Sequence, residues 1–244
     1  MGFNYTPPNP DWMRRAVADL CAVCDDVFLL AEDYESDLLC SIRKEHDNIR
    51  TVMFLEHKEK PLWNDFSSHC ILMMEAARYG CEWLFWIDHD ECLWPAPDKA
   101  VVRALVDSLH ADPVMVSAQL PWLTAWDDEQ HVRINIGYLN MKKNFLQRNP
   151  FLDAVVCFTS TPMIRLHDWP IQTGKQIYRQ DIGVMHYGLM TVEQRKQRVA
   201  RYQVPDEHNP KRWVVPKTIE EYDAGAITKP LSEVKLSDYK YLTG

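Results

Sequence analysis

The sequence predicts an α/β fold, a mostly parallel sheet with helices on both faces, and three observations predict it. Between residues 27 and 88, short apolar runs alternate with stretches of helical periodicity in the order strand, helix, strand, helix, strand. Two of the runs, "VFLLA" and "CEWLFWI", end directly in acids: Glu32-Asp33 and Asp88-His89-Asp90-Glu91. Ligands of parallel sheets sit beyond the carboxyl ends of the strands, so both acidic ends are expected to face one crevice. Third, 244 residues with a 46% hydrophobic fraction and nine Trp are enough to bury the core of one large domain.

The chain opens on "TPPNP" (6–10), too rich in Pro for regular structure. Asp11 then caps a helix to about Cys24, with Ala16, Leu20 and Val23 on one face. A strand over 27–31 follows the Asp25-Asp26 turn. A helix over 35–45 leads to a strand over 50–56. The helix over 65–79 carries Cys70, Met73, Met74 and Ala77 at helical spacing. The strand "CEWLFWID" then delivers the acidic cluster. Beyond it, "DKAVVRALVDSLHA" (98–111) is an amphipathic helix and "PVMVSAQLPWL" (113–123) a strand. Residues 132–149 are β-rich, with two strands and a turn, and 150–180 read as short strands and loops. "DIGVMHYG" (181–188) sets His186 and Gly188 after a short apolar run, and "TVEQRKQRVARYQ" (191–203) is a helix capped by Thr191. The tail from 206 contains Pro210 and Pro216, shows little periodicity and is expected to wrap the domain.

A net charge of −8 supplies no global basic field for nucleic acid. The seven cysteines are scattered. Cys21 and Cys24 form a lone CxxC inside a helical pattern, and no second pair has zinc-ribbon spacing, so buried free thiols in a reducing cytoplasm are the expectation. The N-terminal residues lack an apolar signal-peptide core, and no stretch reaches the roughly 18 apolar residues of a membrane span.

Asp88 and Asp90 lie two apart. If strand geometry persists to them, both carboxylates point at one spot. Clustered carboxylates repel unless positive charge sits among them. Hard cations such as Mg²⁺ or Mn²⁺ take oxygen ligands, often one or two carboxylates plus a substrate's phosphates. His186 adds a second kind of ligand, and the small residue Gly188 close after it lets a ligand or metal approach.

The segments "CDDVFLLAEDYESD", "WNDFSSHCILMMEAARYGCEWLFWIDHDE" and "HYGLMTVEQRKQRVARY" resemble, in order and spacing over about residues 15–205, glycosyltransferases of the GT-A fold in the family 2-like group. The resemblance implies a Rossmann-like nucleotide-sugar domain that binds a divalent metal. Asp88 and Asp90 match the family's DxD, with Asp90 the direct ligand, and His186 matches the downstream histidine that completes the metal site. Glu32 and Asp33 stand where the family's acidic strand end contacts the nucleoside. Asp65 opens the helix before the DxD strand and is expected to line the same donor crevice. Arg195, Lys196, Arg198 and Arg201 follow the HYG, and Arg195 and Arg198 are the candidates for the diphosphate. The resemblance also implies one catalytic domain over 1–205, with a nucleotide-sugar half over about 11–123, an acceptor-side half over about 124–190, and an extension over 206–244. The family's usual first strand and its Asp-Asp-Gly-Ser run are lacking here; "GFNY" and "AEDYESD" stand in their places.

The reaction so implied moves a sugar from a nucleoside-diphosphate sugar, expected to be UDP-linked, to an acceptor hydroxyl. Mn²⁺ or Mg²⁺ stabilises the departing diphosphate. An inverting transfer needs a carboxylate base. Asp168, in "LHDWP", is the first candidate, and Asp181 and Asp153 are the alternatives. The acceptor is a glycan, a protein or a hydroxymethylated DNA base, in the cytoplasm of a bacterium or of a virus-infected cell. Two other readings stay open: a non-catalytic nucleotide-sugar or glycan-binding module, and a metal-dependent nucleotidyltransferase. For the latter the sequence offers no Gly-rich triphosphate cradle.

Overall fold

Two sheets form, and the larger is mainly antiparallel. The computed structural model describes residues 2–3, 9–31, 37–53, 65–96, 98–135, 142–149, 152, 175–203 and 218–238. Strands β1 (Gly2–Phe3), β2 (Val27–Ala31) and β3 (Ile49–Met53) alternate with helices α1 (Pro10–Val23) and α2 (Asp37–Glu45). The three strands make a small parallel sheet in the order β1-β2-β3. Helix α3 (Asp65–Arg78) packs on β2 and is followed by β4 (Trp83–Phe85), β5 (Glu91–Trp94) and α4 (Lys99–His110). Next come β6 (Met115–Trp126), β7 (Asp128–Arg133), β8 (Lys142–Arg148), β9 (Lys175–Tyr178) and β10 (Gly183–His186). Helices α5 (Val192–Gln203) and α6 (Ile219–Asp223) and strand β11 (Thr228–Pro230) close the list.

The eight strands β4 to β11 form the second sheet. Its pairs β4–β8, β6–β8, β6–β7, β7–β11 and β5–β10 are antiparallel. Only β6–β9 and β6–β10 are parallel. The mostly parallel, Rossmann-like sheet that the sequence predicts is therefore not the one that forms. Alternation before residue 88 predicts a parallel sheet, but most of the strands lie after residue 113. Strand β4 joins that later group, pairing with β8 (Trp83↔Arg148, Phe85↔Leu146). Strand β6 runs on to Trp126, turns at Asp127 and returns as β7, and such a tight connection makes an antiparallel pair.

Local chemistry explains the helix ends. Asn9, not Asp11, caps α1: its Oδ1 accepts the Asp11 N–H at 3.0 Å, with Pro10 opening the helix. Asp98 caps α4 by accepting from Ala100 and Val101. Thr191 and Gln194 form a reciprocal box ahead of α5, with Thr191 N–H to Gln194 Oε1 at 2.8 Å and Gln194 N–H to Thr191 Oγ1 at 3.2 Å. In the described part of the tail, β11 pairs with β7, and Leu236 stands over Gly183.

Helix α1 lays Trp12, Met13, Ala16, Val17 and Leu20 into the main core and packs on β5 and α4. One acid on its buried side, Asp19, accepts the Leu93 N–H at 2.9 Å. Burial raises the Asp19 pKa, and that N–H and Arg15 offset the rise only in part. Between the ordinary carboxylate value and the raised one, the folded protein binds more protons than the unfolded chain. Asp19 thus removes stability as pH climbs through that window and leaves a constant deficit above it. Asp19→Asn keeps an acceptor for Leu93. It is expected to raise the melting temperature at pH 7 and to change it little near pH 3, as read by scanning calorimetry.

Candidate functional site

The acidic turn meets the histidine because β5 and β10 are neighbours. Their antiparallel register sets His186 opposite Glu91 and Gly183 opposite Trp94. Asp90, one residue before β5, then comes against the last residue of β10. Asp90 Oδ2 lies 3.5 Å from His186 Nε2, with the carboxylate 21% exposed and the imidazole 4% exposed. The carboxylate thus reaches solvent while the ring stands behind it. Tyr187 N–H donates to Asp90 O at 2.8 Å and locks the turn to the strand end. A Cβ at Gly188 would overlap Asp90 Oδ2 and stand 2.8 Å from His186 Nε2. Only glycine leaves the pair its space there.

The strand alternation invoked for Asp88 and Asp90 does not reach them. Strand β4 stops at Phe85, and Glu91 N–H to Asp88 O at 3.1 Å closes a turn. The turn separates the carboxylates' surroundings. Asp88 Oδ1 accepts from the Trp86 indole at 3.3 Å, and Asp88 N–H donates to Glu91 Oε2 at 2.8 Å. Glu91 is fully buried, so it works as an internal brace for the turn. Glu91 and the Trp122 ring, 4.9 Å from the His186 ring, stand beside the candidate site at positions the sequence reading passes over. The spacing of Asp88 and Glu91 is the signal for the brace; nothing local marks Trp122.

Four polar residues line up across the sheet: Arg133 opposite Thr124, Thr124 opposite His186, and His186 opposite Glu91. All are buried, and directly paired residues share one face. Asp90 feels this end of the sheet. Burial pushes its carboxyl up, but His186, His89 and Arg198 outweigh burial and Asp88, leaving its pKa below the ordinary value. The carboxylate is therefore ionised at neutral pH.

Of the other sequence candidates, Arg195 is 1% exposed and committed to the scaffold. It donates to Leu189 O (3.1 Å), Met190 O (2.7 Å) and Asp127 Oδ1 (3.0 Å) and pairs with Asp223 Oδ1 (3.0 Å). Its guanidinium also stacks 4.2 Å from the Trp126 ring, and Arg133 stacks on the same ring at 4.4 Å. Asp127 holds a left-handed backbone, φ 66°, which Asp tolerates better than most residues. Arg198, one turn further along α5, is the arginine whose charge reaches Asp90. Asp181 is exposed and doubly bonded to Arg179 (3.0 and 2.5 Å), which holds its pKa below the ordinary value. Asp65 is the first residue of α3. Glu32, Asp33, Asp153 and Asp168 lie outside the described residues.

The Asp90–His186 pair fits a divalent cation. Cis ligands about 2.1 Å from an octahedral ion stand about 3.0 Å apart, so the observed separation needs only a small side-chain adjustment. A carboxylate with an imidazole suits Mn²⁺, and Mg²⁺ less well. Among the described residues no three His, Cys, Asp or Glu side chains converge on one point. Such ions also take water and substrate oxygens as ligands. No protein-family model matches the chain, and no curated protein matches it significantly.

Two outcomes follow from this geometry. Gly188→Ala is expected to weaken Mn²⁺ binding by about ten- to a hundredfold in calorimetric titration while the fold persists. Arg195→Met removes the clamp on Asp127, Asp223 and the α5 entry. It is expected to cost about 2 kcal/mol, a fall of about 4–8 °C in melting temperature.

Proposed function

We propose that the chain is a metal-dependent glycosyltransferase that moves a sugar from a UDP-linked donor to an acceptor hydroxyl with inversion. The observation that carries this reading is the Asp90–His186 pair, 3.5 Å apart around a glycine. Asp90 and His186 would hold a divalent cation, an ion class that commonly also takes phosphate oxygens of a substrate. When bound, that cation supplies positive charge against the departing nucleoside diphosphate.

The chain's own residues do the rest. Asp90, ionised at neutral pH, offers its carboxylate without first shedding a proton. His186 presents Nε2 to the same point. Asp88, tethered to the Trp86 indole, borders the donor's side of the turn. Arg198 is assigned to the diphosphate, and Arg195 holds the helix that carries it. Glu32 and Asp33 are assigned to the nucleoside. The acceptor's proton goes to Asp168 as C1 is attacked from the face opposite the leaving group. Asp181, kept ionised by Arg179, is the weaker base. Among acceptors, a glycan or a protein is favoured over a hydroxymethylated DNA base, because a net charge of −8 opposes approach to DNA.

The test is titration of UDP with and without Mn²⁺, followed by assay of sugar release from UDP-sugars. Mn²⁺ is expected to tighten UDP binding. Asp90→Asn and His186→Ala are each expected to lower turnover by about a hundredfold or more, in line with about 1.4 kcal/mol per tenfold. UDP affinity that ignores Mn²⁺ would sink the reading, and binding without turnover across a broad acceptor panel would favour a binding module.

A further inference from the structure

In the buried row Arg133, Thr124, His186, Glu91, the burial of Thr124 is left unexplained by the hydrogen bonds of the described residues. Thr124 is 1% exposed, and its hydroxyl has no hydrogen-bond partner among them. Burying an unbonded hydroxyl is unfavourable, and valine would fill the same place in a strand without that cost. A group of this kind calls for a use in some state of the molecule.

Its neighbours narrow the use. Thr124 lies between Trp122 and Trp126 at alternate positions of β6, so the three side chains share a face. Arg133 of β7 stands on one side and His186 of β10 on the other. Arg133 is engaged elsewhere: it donates to Asn135 Oδ1 at 3.1 Å and to the carbonyls of Tyr222 and Ala224, and it stacks on Trp126. The His186 ring leans along β6 towards Trp122. Hydrogen-bonded strands lie about 4.8 Å apart, so Thr124 and His186 start from adjacent points on one face. A staggered change at χ1 of Thr124 turns Oγ1 towards one neighbouring strand or the other. Beyond His186 the row ends in Glu91, whose Oε2 already accepts the Asp88 N–H.

The chemistry of the two groups is matched. Neutral imidazole has one N–H and one bare nitrogen, and a hydroxyl both donates and accepts. Nε2 faces the Asp90 carboxylate at 3.5 Å, so without a cation the proton belongs on Nε2, and Nδ1 needs a donor. When Nε2 gives its lone pair to a cation, the proton sits on Nδ1, which then needs an acceptor. A hydroxyl serves in both senses by turning its O–H bond; a carboxylate or an ammonium serves in only one.

We propose that Thr124 is a positioning residue for His186: its hydroxyl donates to Nδ1 while Nε2–H faces Asp90, and accepts from Nδ1–H when Nε2 holds a divalent cation. The second half rests on the metal reading of the site, and the first does not. One proton leaves Nε2 for solvent as one arrives at Nδ1, so the exchange is balanced. The hydroxyl holds the ring in place throughout.

The test compares the full chain with Thr124→Val, which removes the hydroxyl and keeps the branched shape, and with Thr124→Ser, which keeps the hydroxyl. Melting temperatures within about 4 °C of the starting protein show the fold intact. In metal-free protein labelled with ¹⁵N-histidine, the His186 ring nitrogens are identified by their loss in His186→Ala and read above about pH 8. The starting protein and Thr124→Ser are expected to show the Nε2–H tautomer with the Nδ1 resonance displaced by hydrogen bonding. Thr124→Val is expected to lose that displacement. Mn²⁺ affinity in calorimetric titration is expected to fall about ten- to a hundredfold in Thr124→Val and to return in Thr124→Ser. An unchanged Nδ1 resonance and unchanged affinity in Thr124→Val overturn the proposal. Equal losses in the two variants overturn it too, since the residue would then act through packing. So does an Nδ1 resonance that ignores Thr124→Val and moves in Glu91→Gln, which gives the role to Glu91. If the starting protein binds no Mn²⁺ while its Nδ1 resonance answers to Thr124→Val, the metal reading falls, the second half of the proposal falls with it, and the pairing of the hydroxyl with Nδ1 stands.

Discussion

The pairing of β6 is the constraint on which the rest of the structure depends. Its 12 residues span about 40 Å, and they are buried without a break from Leu120 to Trp126. Strands β8 and β9 flank its first half, and β7 and β10 its second. Because β10 lies between β6 and β5, it runs parallel to one neighbour and antiparallel to the other. That insertion carries His186 to the turn that holds Asp90. Without it, a histidine nearly a hundred residues downstream would have no reason to meet the acidic cluster. Strand β6 also supplies Trp122 behind the His186 ring and Trp126 beneath two guanidinium groups.

Among the described residues, Glu91, Thr124, Arg133, His186 and Arg195 are buried at one end of β6, and hydrogen bonds account for the burial of Arg195, Arg133 and Glu91. Arg195 satisfies the carbonyls of Leu189 and Met190 just before α5, and it pairs with the left-handed Asp127 at the β6–β7 turn. Arg133 donates to the carbonyls of Tyr222 in α6 and of Ala224 just after it. Glu91 braces the acidic turn from within. Buried charges are tolerated only when such partners are supplied, and here they are supplied by hairpin ends and helix termini. Elsewhere the ion pairs are exposed, as between Asp25 and Arg103 or Lys99, and contribute little.

The candidate site and an open cavity of about 530 Å³ between the two core clusters share one piece of chain. Trp83 to Phe85 line the cavity, and Asp88 to Asp90 form the turn only a few residues on. Strand β4 is three residues long and joined to the larger sheet through β8. The packing of the core and the geometry of the site are in this way linked by a short stretch of backbone.

Much of this was legible before any folding was considered, because it rests on neighbours in sequence. Helices α1, α3, α4 and α5 follow from apolar periodicity and caps. The shift of the α1 cap from Asp11 to Asn9 reflects two polar residues competing two positions apart. Asp90, His186 and Gly188 stand out as residue types suited to a metal next to apolar runs. What local pattern does not carry is the identity and direction of strand partners. An alternating or apolar run reads the same in parallel and antiparallel pairs, so β4 beside β8 and β10 beside β6 and β5 are decided only when distant segments compete for one long strand. The sequence by itself thus determined the longer helices, several of the strands and the chemistry of the candidate ligands, but not β5, α6 or β11. The tertiary structure alone decided the sheet, the 3.5 Å approach of Asp90 to His186 and the divided core, because those depend on contacts between residues far apart in the chain.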